Sequence, residues 1–261
     1  MSLNVVVCVK QIPDPADPGS LDADFTLNRA GKLILDESDS YGVEMALQLV
    51  DNAGGGEVTL VSMAPNGEVS GLRTALAMGA AKSVLVTDPE LAGAGALDTA
   101  RTLAAAMGKA GEYDLILAGV ESSDGYTGTV PQMLAAELGL PMVSFAKSVE
   151  IADGKVSVQR QTETGYQDVE ASTPAVVSVT AGVVEPRYPS FKGIMAAKSK
   201  PVEEVAVGDL GIDAATVGWS GAGQEIVAVE DAPAREAGEI IEDDGEGHLK
   251  IKAKLEELKV I

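Results

Sequence analysis

"EVTLVSMAPNGEVSGLRTALAMGAAKSVLVTD", residues 57–88, holds one complete strand–helix–strand unit. The run at 57–63 is short and apolar, as a strand requires. Leu72, Ala75 and Leu76 then recur on one face at helical spacing, and Gly79 marks the stop. A second apolar run at 83–88 returns to strand. A helix between two strands carries the chain back to its starting edge, so the strands run parallel.

The same alternation extends in both directions. "NVVVCV" (4–9) is a continuous apolar run, the pattern of a strand buried on both faces. Val43, Ala46, Leu47 and Val50 in "YGVEMALQLV" (41–50) define a helical face. "ALDTARTLAAAMGKAG" (96–111) is an Ala-rich helix, "YDLILAG" (113–119) a strand and "TVPQMLAAELG" (129–139) a helix. The expected fold class is α/β, a Rossmann-like parallel sheet with helices on both faces. Beyond Leu140 the period changes to two. Residues 142–180, with an Asp153-Gly154 turn, read as antiparallel strands extending the sheet. From Pro201 a Gly-, Asp- and Glu-rich stretch runs to a helical pattern at 249–261. The expected organisation is an α/β nucleotide-binding domain at 1–200 and an extended C-terminal arm at 201–261 lying on something else.

Composition narrows the chemistry. The net charge of −21 argues against nucleic acid and anionic membrane surfaces as partners. One Cys and one His leave no disulfide and no multi-thiolate or His-rich metal site, so no metal is expected. "EDDGEGH" (242–248) lacks the ligand ladder of a calcium loop. With aromatics at 3%, few rings can stack on a large ligand. The opening "MSLNVVVCVK" runs straight into a strand and no long apolar run follows, so neither signal peptide nor membrane insertion is expected and the expected address is cytoplasmic.

In open parallel sheets ligands bind beyond the carboxyl ends of the strands. Lys10–Pro13, Met63–Gly67, Thr87–Pro89 and the loop after Gly119 meet there. That last loop, "VESSDGYTGT" (120–129), is rich in Gly and hydroxyls and precedes a helix whose free N–H groups would face an anion. It matches neither a Walker A nor a G-x-G-x-x-G pattern. A phosphate cradle and a capped helix start both fit. Its length of roughly ten residues, against about 2–6 for ordinary βα loops, favours a ligand. Cys8 reads as a small core side chain and His248 as a solvated one; no nucleophile and no acid–base pair emerges. In "EPRYPSFKGIMAAKSK" (185–200), Phe191, Ile194 and Met195 stand among Arg187, Lys192, Lys198 and Lys200, with Pro189 stiffening the backbone. An apolar anchor with a basic rim suits docking to a partner.

Several stretches resemble the β subunit of electron transfer flavoproteins, the actinobacterial form most. They are "VVVCVKQIPDP" (5–15), "GVEMAL" (42–47), "RTALAMGAAKSVLV" (73–86), "DGYTGTVPQMLAAELGLP" (124–141) and "EPRYPSFKGIMAAKSKPVE" (185–203), in the family's order. The resemblance implies an electron carrier rather than an enzyme. It implies a heterodimer whose α subunit holds most of an FAD, with AMP bound structurally in β. It further implies electrons taken from acyl-CoA and related dehydrogenases, as in fatty-acid β-oxidation, and passed to a membrane quinone oxidoreductase. The nucleotide would be lined by Cys8, Lys10, Asp36, Met63 and the loop Val120, Glu121, Ser122, Ser123, Asp124, Gly125, Tyr126, Thr127, Gly128 and Thr129. Pro189, Phe191, Lys192, Ile194 and Met195 would form the recognition loop, with Phe191 as anchor, and the arm would pack on the partner subunit. Asp36 stands where many members have Asn, and the loop is shorter than in the mammalian type. Two alternatives stay open: an electron-bifurcating β subunit with a second FAD in place of AMP, and a stand-alone adenine-nucleotide-binding protein.

Overall fold

Period-two and period-3.6 patterning translate into a layered α/β structure in the computed structural model, which describes residues 2–234, 238 and 240–261. In chain order, β1 (Leu3–Cys8), β2 (Gln11–Pro13) and β3 (Leu33–Leu35) precede α1 (Glu37–Asn52). Then come β4 (Gly56–Ala64), α2 (Ser70–Met78), β5 (Lys82–Thr87), α3 (Ala96–Ala110), β6 (Leu115–Gly119) and α4 (Val130–Leu138). β7 (Met142–Ala152), β8 (Lys155–Thr162), β9 (Gly165–Ser172) and β10 (Ala175–Val179) follow. The chain ends with α5 (Phe191–Ala197), β11 (Val202–Val205), the single turn α6 (Gly218–Gly221) and α7 (Gly247–Glu257).

The nine-stranded sheet has the order β11-β5-β4-β1-β6-β10-β7-β8-β9. Neighbours from β11 to β7 are parallel, and β8 and β9 are antiparallel additions at one edge. Alternation along β1 splits the core. Val5 and Val7 pack with Leu60, Leu115 and Val177 beneath Val43 and Ala46 of α1 and Leu72 and Leu76 of α2. Val6 and Cys8 pack with Val84, Ile116 and Val176 beneath Ala100, Leu103 and Met107 of α3 and Leu134 of α4. Helices therefore cover both faces, as a parallel sheet needs. Fully burying one such Leu contributes roughly 1.5–3 kcal/mol.

Two expectations are corrected. Residues 175–179, grouped with the antiparallel strands, form a parallel strand inserted between β6 and β7. All five are buried, and a strand buried on both faces belongs inside the sheet. Within the Gly-, Asp- and Glu-rich stretch from Pro201, where only a terminal helix was expected, Val202–Val205 pairs in parallel with β5 and closes the other edge. Only the inner end of that strand is buried, so its sequence carries little alternation to read. The short β2–β3 hairpin also lies outside the sequence pattern.

The chain forms two compact units, one running to Ile226 and one of Val227–Ile261. In the second, Asp243 accepts from the amides of Gly245 and Gly247 at the start of α7. Leu249, Ile251 and Leu258 are exposed on that unit. Of the arm expected at 201–261, residues 235–237 and 239 lie outside the described residues. Among the described residues no helix is long and apolar enough to cross a membrane, and no group of three His, Cys, Asp or Glu side chains could hold a metal ion.

Candidate functional site at the switch point of the sheet

The chain steps from β1 outward to β4 and β5, then returns to place β6 on the other side of β1. The loops leaving β1 and β6 therefore diverge at their carboxyl ends. Such a switch point opens a crevice in doubly wound sheets. Gly119 ends β6 there, close enough that a Cβ would lie 3.0 Å from Asp39 Oδ1. The ten-position loop 120–129 folds back over this point.

Asp36 anchors the base of the loop. It is the N-cap of α1, fully buried, and its Oδ1 accepts from the amide of Ser38 at 3.0 Å and its hydroxyl at 2.7 Å. Its Oδ2 accepts from the Ser123 amide at 2.8 Å and the Ser123 hydroxyl at 3.0 Å. One carboxylate thus starts a helix and holds a distant loop. The Ser38 hydroxyl also donates to the Glu121 carbonyl at 3.1 Å.

Asp124 anchors the crest. Lys10 Nζ donates to its Oδ1 at 2.6 Å and to Ser122 Oγ at 3.2 Å, and Arg29 donates to its Oδ2. The Asp124 side chain is 5% exposed. Burial pushes its pKa upward, but the charges and hydrogen bonds of Lys10 and Arg29 outweigh that and bring it down to about 2.

Asp39 lies below. Burial first, and then the neighbouring Asp36 charge, push its carboxyl up to about 8, against the amides of Lys10 and Gly119 and the Lys10 charge, which favour ionisation. The Lys10 amide donates to Asp39 Oδ2 at 2.6 Å. Burial likewise pushes the Cys8 thiol up to about 12, helped by Asp39, so the thiol is held in its protonated form.

Beyond Asp124 the loop turns through Tyr126 (φ 50°) and Gly128 (φ 63°) into α4. No side chain caps α4 at Thr129 among the described residues. The exposed Thr127 and Thr129 hydroxyls stand beside the start of α4, where Pro131 carries no N–H. The helix dipole and these donors favour an anion there.

Of the expected nucleotide-binding residues, hydrogen bonds bring Lys10, Asp36 and Glu121 through Asp124 together directly. Cys8 ends β1 beneath them. Met63 is half-buried near the end of β4, across β1 from the loop. Arg29, Ser38 and Asp39 belong to the same cluster and were not singled out in the sequence. Arg29 sits in an unpatterned stretch, and Ser38 and Asp39 look like an ordinary polar helix start. A shallow depression of about 540 Å³ lies at the opposite, amino-terminal strand ends, lined by Asn4, Glu57, Thr59 and Lys82. It lies away from every one of these residues.

The expected docking residues cluster around α5. Ser190 caps this helix through the Gly193 amide at 3.0 Å. Phe191 is 81% exposed, and Ile194 and Met195 are about half exposed. Of the four basic residues expected around them, Lys192 and Lys198 are exposed, whereas Arg187 and Lys200 are spent on contacts within the fold.

Residues 24–210 match the family model described as the electron transfer flavoprotein domain. The chain is 40% identical to the electron transfer flavoprotein subunit beta of Mycobacterium tuberculosis, covering 99% of each chain. It is 33% identical to the protein of the same description from Megasphaera elsdenii, over 99% of this chain and 100% of the other. It is also 33% identical, over 92% of each chain, to the caffeyl-CoA reductase-Etf complex subunit CarD of Acetobacterium woodii. The family-model match takes in the crevice loop, the sheet strands from β4 to β11 and α5, and this chain belongs to the electron transfer flavoprotein family as a β subunit.

Proposed function

We propose that this β subunit pairs with a flavoprotein α subunit, completes the enclosure of an FAD held mainly there, and binds AMP structurally at the β1–β6 switch point. The observation that carries the nucleotide reading is the long loop 120–129, fixed at base and crest, with the uncapped start of α4 beside it. Its donor set fits a phosphate: backbone amides, the hydroxyls of Ser122, Thr127 and Thr129, and the cations Lys10 and Arg29. Cys8 and Met63 supply apolar walls for the adenosine. Asp36, Ser123 and Asp124 hold the loop rather than the ligand. FAD supplies the electron transfer, and the protein supplies position and electrostatics.

Electrons would come from acyl-CoA and related dehydrogenases docking at Phe191, Ile194 and Met195, flanked by Pro189 and Lys192, and would pass to a quinone oxidoreductase. The arm beyond residue 200 would pack on the α subunit, consistent with the exposed Leu249, Ile251 and Leu258. The cytoplasm is the proposed location. The test is nucleotide and flavin stoichiometry on the chain co-expressed with its α subunit. One AMP and one FAD per heterodimer supports the reading. Two flavins without AMP would replace it with the bifurcating alternative, and adenine-nucleotide turnover by β alone with the stand-alone one.

A further inference from the structure

The basic residues of 186–200 do two different jobs. Arg187 turns inward onto α1. Its amide and Nε donate to Glu44 Oε2 at 3.1 and 2.7 Å, and its Nη2 donates to Glu44 Oε1 at 3.1 Å and to Asp51 Oδ2 at 3.2 Å. Glu44 is 3% exposed. Burial pushes its carboxyl upward, but the Arg187 contacts and Gln48 outweigh that and hold it below the ordinary range.

Lys200 turns inward onto α2. Its Nζ donates to the carbonyls of Leu76 at 2.8 Å and Ala80 at 2.6 Å, at the end of that helix. The contact is returned from α2: Arg73 Nη1 donates to the carbonyls of Ala197 and Lys200, each at 2.7 Å, at the end of α5. Each helix thus has its terminal carbonyls capped by a cation belonging to the other segment. Between these caps, a Cβ on Gly193 would fall 2.4 Å from the Ala77 carbonyl oxygen. Glycine is what lets α5 lie so close to α2.

A helix of seven residues has little stability of its own in water. These contacts supply what its length does not. Ala197 is buried on the inner side, and Phe191, Ile194 and Met195 face out.

We propose that Arg73, Lys200, Arg187 and Glu44 are positioning residues that lock α5 onto α2, and the segment leading into it onto α1, before a partner arrives, presenting the apolar anchor preformed, with Lys192 and Lys198 as the charged rim. The role rests on the docking reading of α5 given above. A preformed anchor loses less conformational freedom on association, which favours affinity without any added contact.

The test uses the αβ flavoprotein with two clamp variants, Arg73→Gln and the double Glu44→Gln/Arg187→Gln. The double change removes both charges and so leaves no lone buried carboxylate. Amide hydrogen exchange over 191–199 is read in the free flavoprotein. KM and kcat for its reduction by a purified acyl-CoA dehydrogenase are read across ionic strengths. Both variants are expected to exchange about tenfold faster there and to raise KM about tenfold at unchanged kcat, flavin content and salt dependence. Lys192→Gln/Lys198→Gln should instead keep the parental exchange and flatten the salt dependence. If a clamp variant folds poorly, Arg73→Lys, which keeps the cation, should recover part of both effects. Parental exchange in the clamp variants overturns the lock, and faster exchange with a parental KM overturns the positioning role. A parental KM in Phe191→Ala removes the docking reading itself and leaves hydrogen exchange to judge the lock alone.

Discussion

Ser123 is bound twice by Asp36, through its amide at 2.8 Å and its hydroxyl at 3.0 Å, across 87 positions of sequence. The same carboxylate caps α1 through Ser38, so the crevice loop and the helix share one fully buried support.

Asp36→Ala removes both functions together. A lost N-cap costs about 1 kcal/mol, and losing the bonds to the exposed Ser123, whose donors water can then satisfy, adds roughly 1 kcal/mol. The denaturation midpoint in guanidinium should fall accordingly, with Asp36→Asn intermediate because it keeps an acceptor oxygen. A parental midpoint for the Ala variant would show that the shared support does not exist.

Asp39 makes stability fall as pH rises. Its folded pKa of about 8 lies above the ordinary carboxylate value of 3.8, so between those values the folded state holds a proton that the unfolded state has released. Unfolding free energy should therefore decline through this window, by at most about 1.4 kcal/mol per pH unit from this group. Asp39→Asn should flatten the decline measured from pH 5 to 8. An equally steep profile in the variant would refute the assignment.

Asp124 has the opposite sign. Its folded pKa of about 2 lies below the ordinary carboxylate value of 3.8. The stability it contributes is complete above the unfolded value and is lost as pH falls toward 2. Asp124→Asn should cost about 2 kcal/mol at neutral pH and almost nothing at pH 2, as followed by thermal unfolding at each pH. It should also loosen Arg29 and Lys10, which hold the crest of the loop.

Phe191→Ala should slow reduction by an acyl-CoA-type dehydrogenase while leaving the FAD content of the heterodimer unchanged. Truncating a central apolar anchor typically weakens association by about 2 kcal/mol or more. Stopped-flow rates at subsaturating flavoprotein should fall roughly thirtyfold on that scale. Equal rates in variant and parent would exclude Phe191 as the anchor.

Much of the architecture was legible. The strand–helix–strand unit at 57–88 announces a parallel sheet because apolar runs and a helical face alternate within it. The Gly- and Ser-rich loop after Gly119 falls by connectivity at a carboxyl strand end. Ala175–Val179 misled because an interior strand has no alternation, and the patterned strands before it in sequence suggested another of their kind. Arg187 and Lys200 looked like a solvent-facing rim, since composition cannot tell a cation in water from one capping a neighbouring helix.

The sequence by itself determined the layered α/β class, the crevice loop and the family, because periodicity, turn residues and ordered motifs act locally along the chain. Tertiary structure alone decided that Asp36 serves a helix and a loop at once, that Lys10 and Arg29 converge on Asp124, and that α2 and α5 cap one another. The physical reason is range. Apart from the Asp36 cap on Ser38, each of these contacts joins groups far apart in sequence, and its strength comes from the burial and geometry that folding creates.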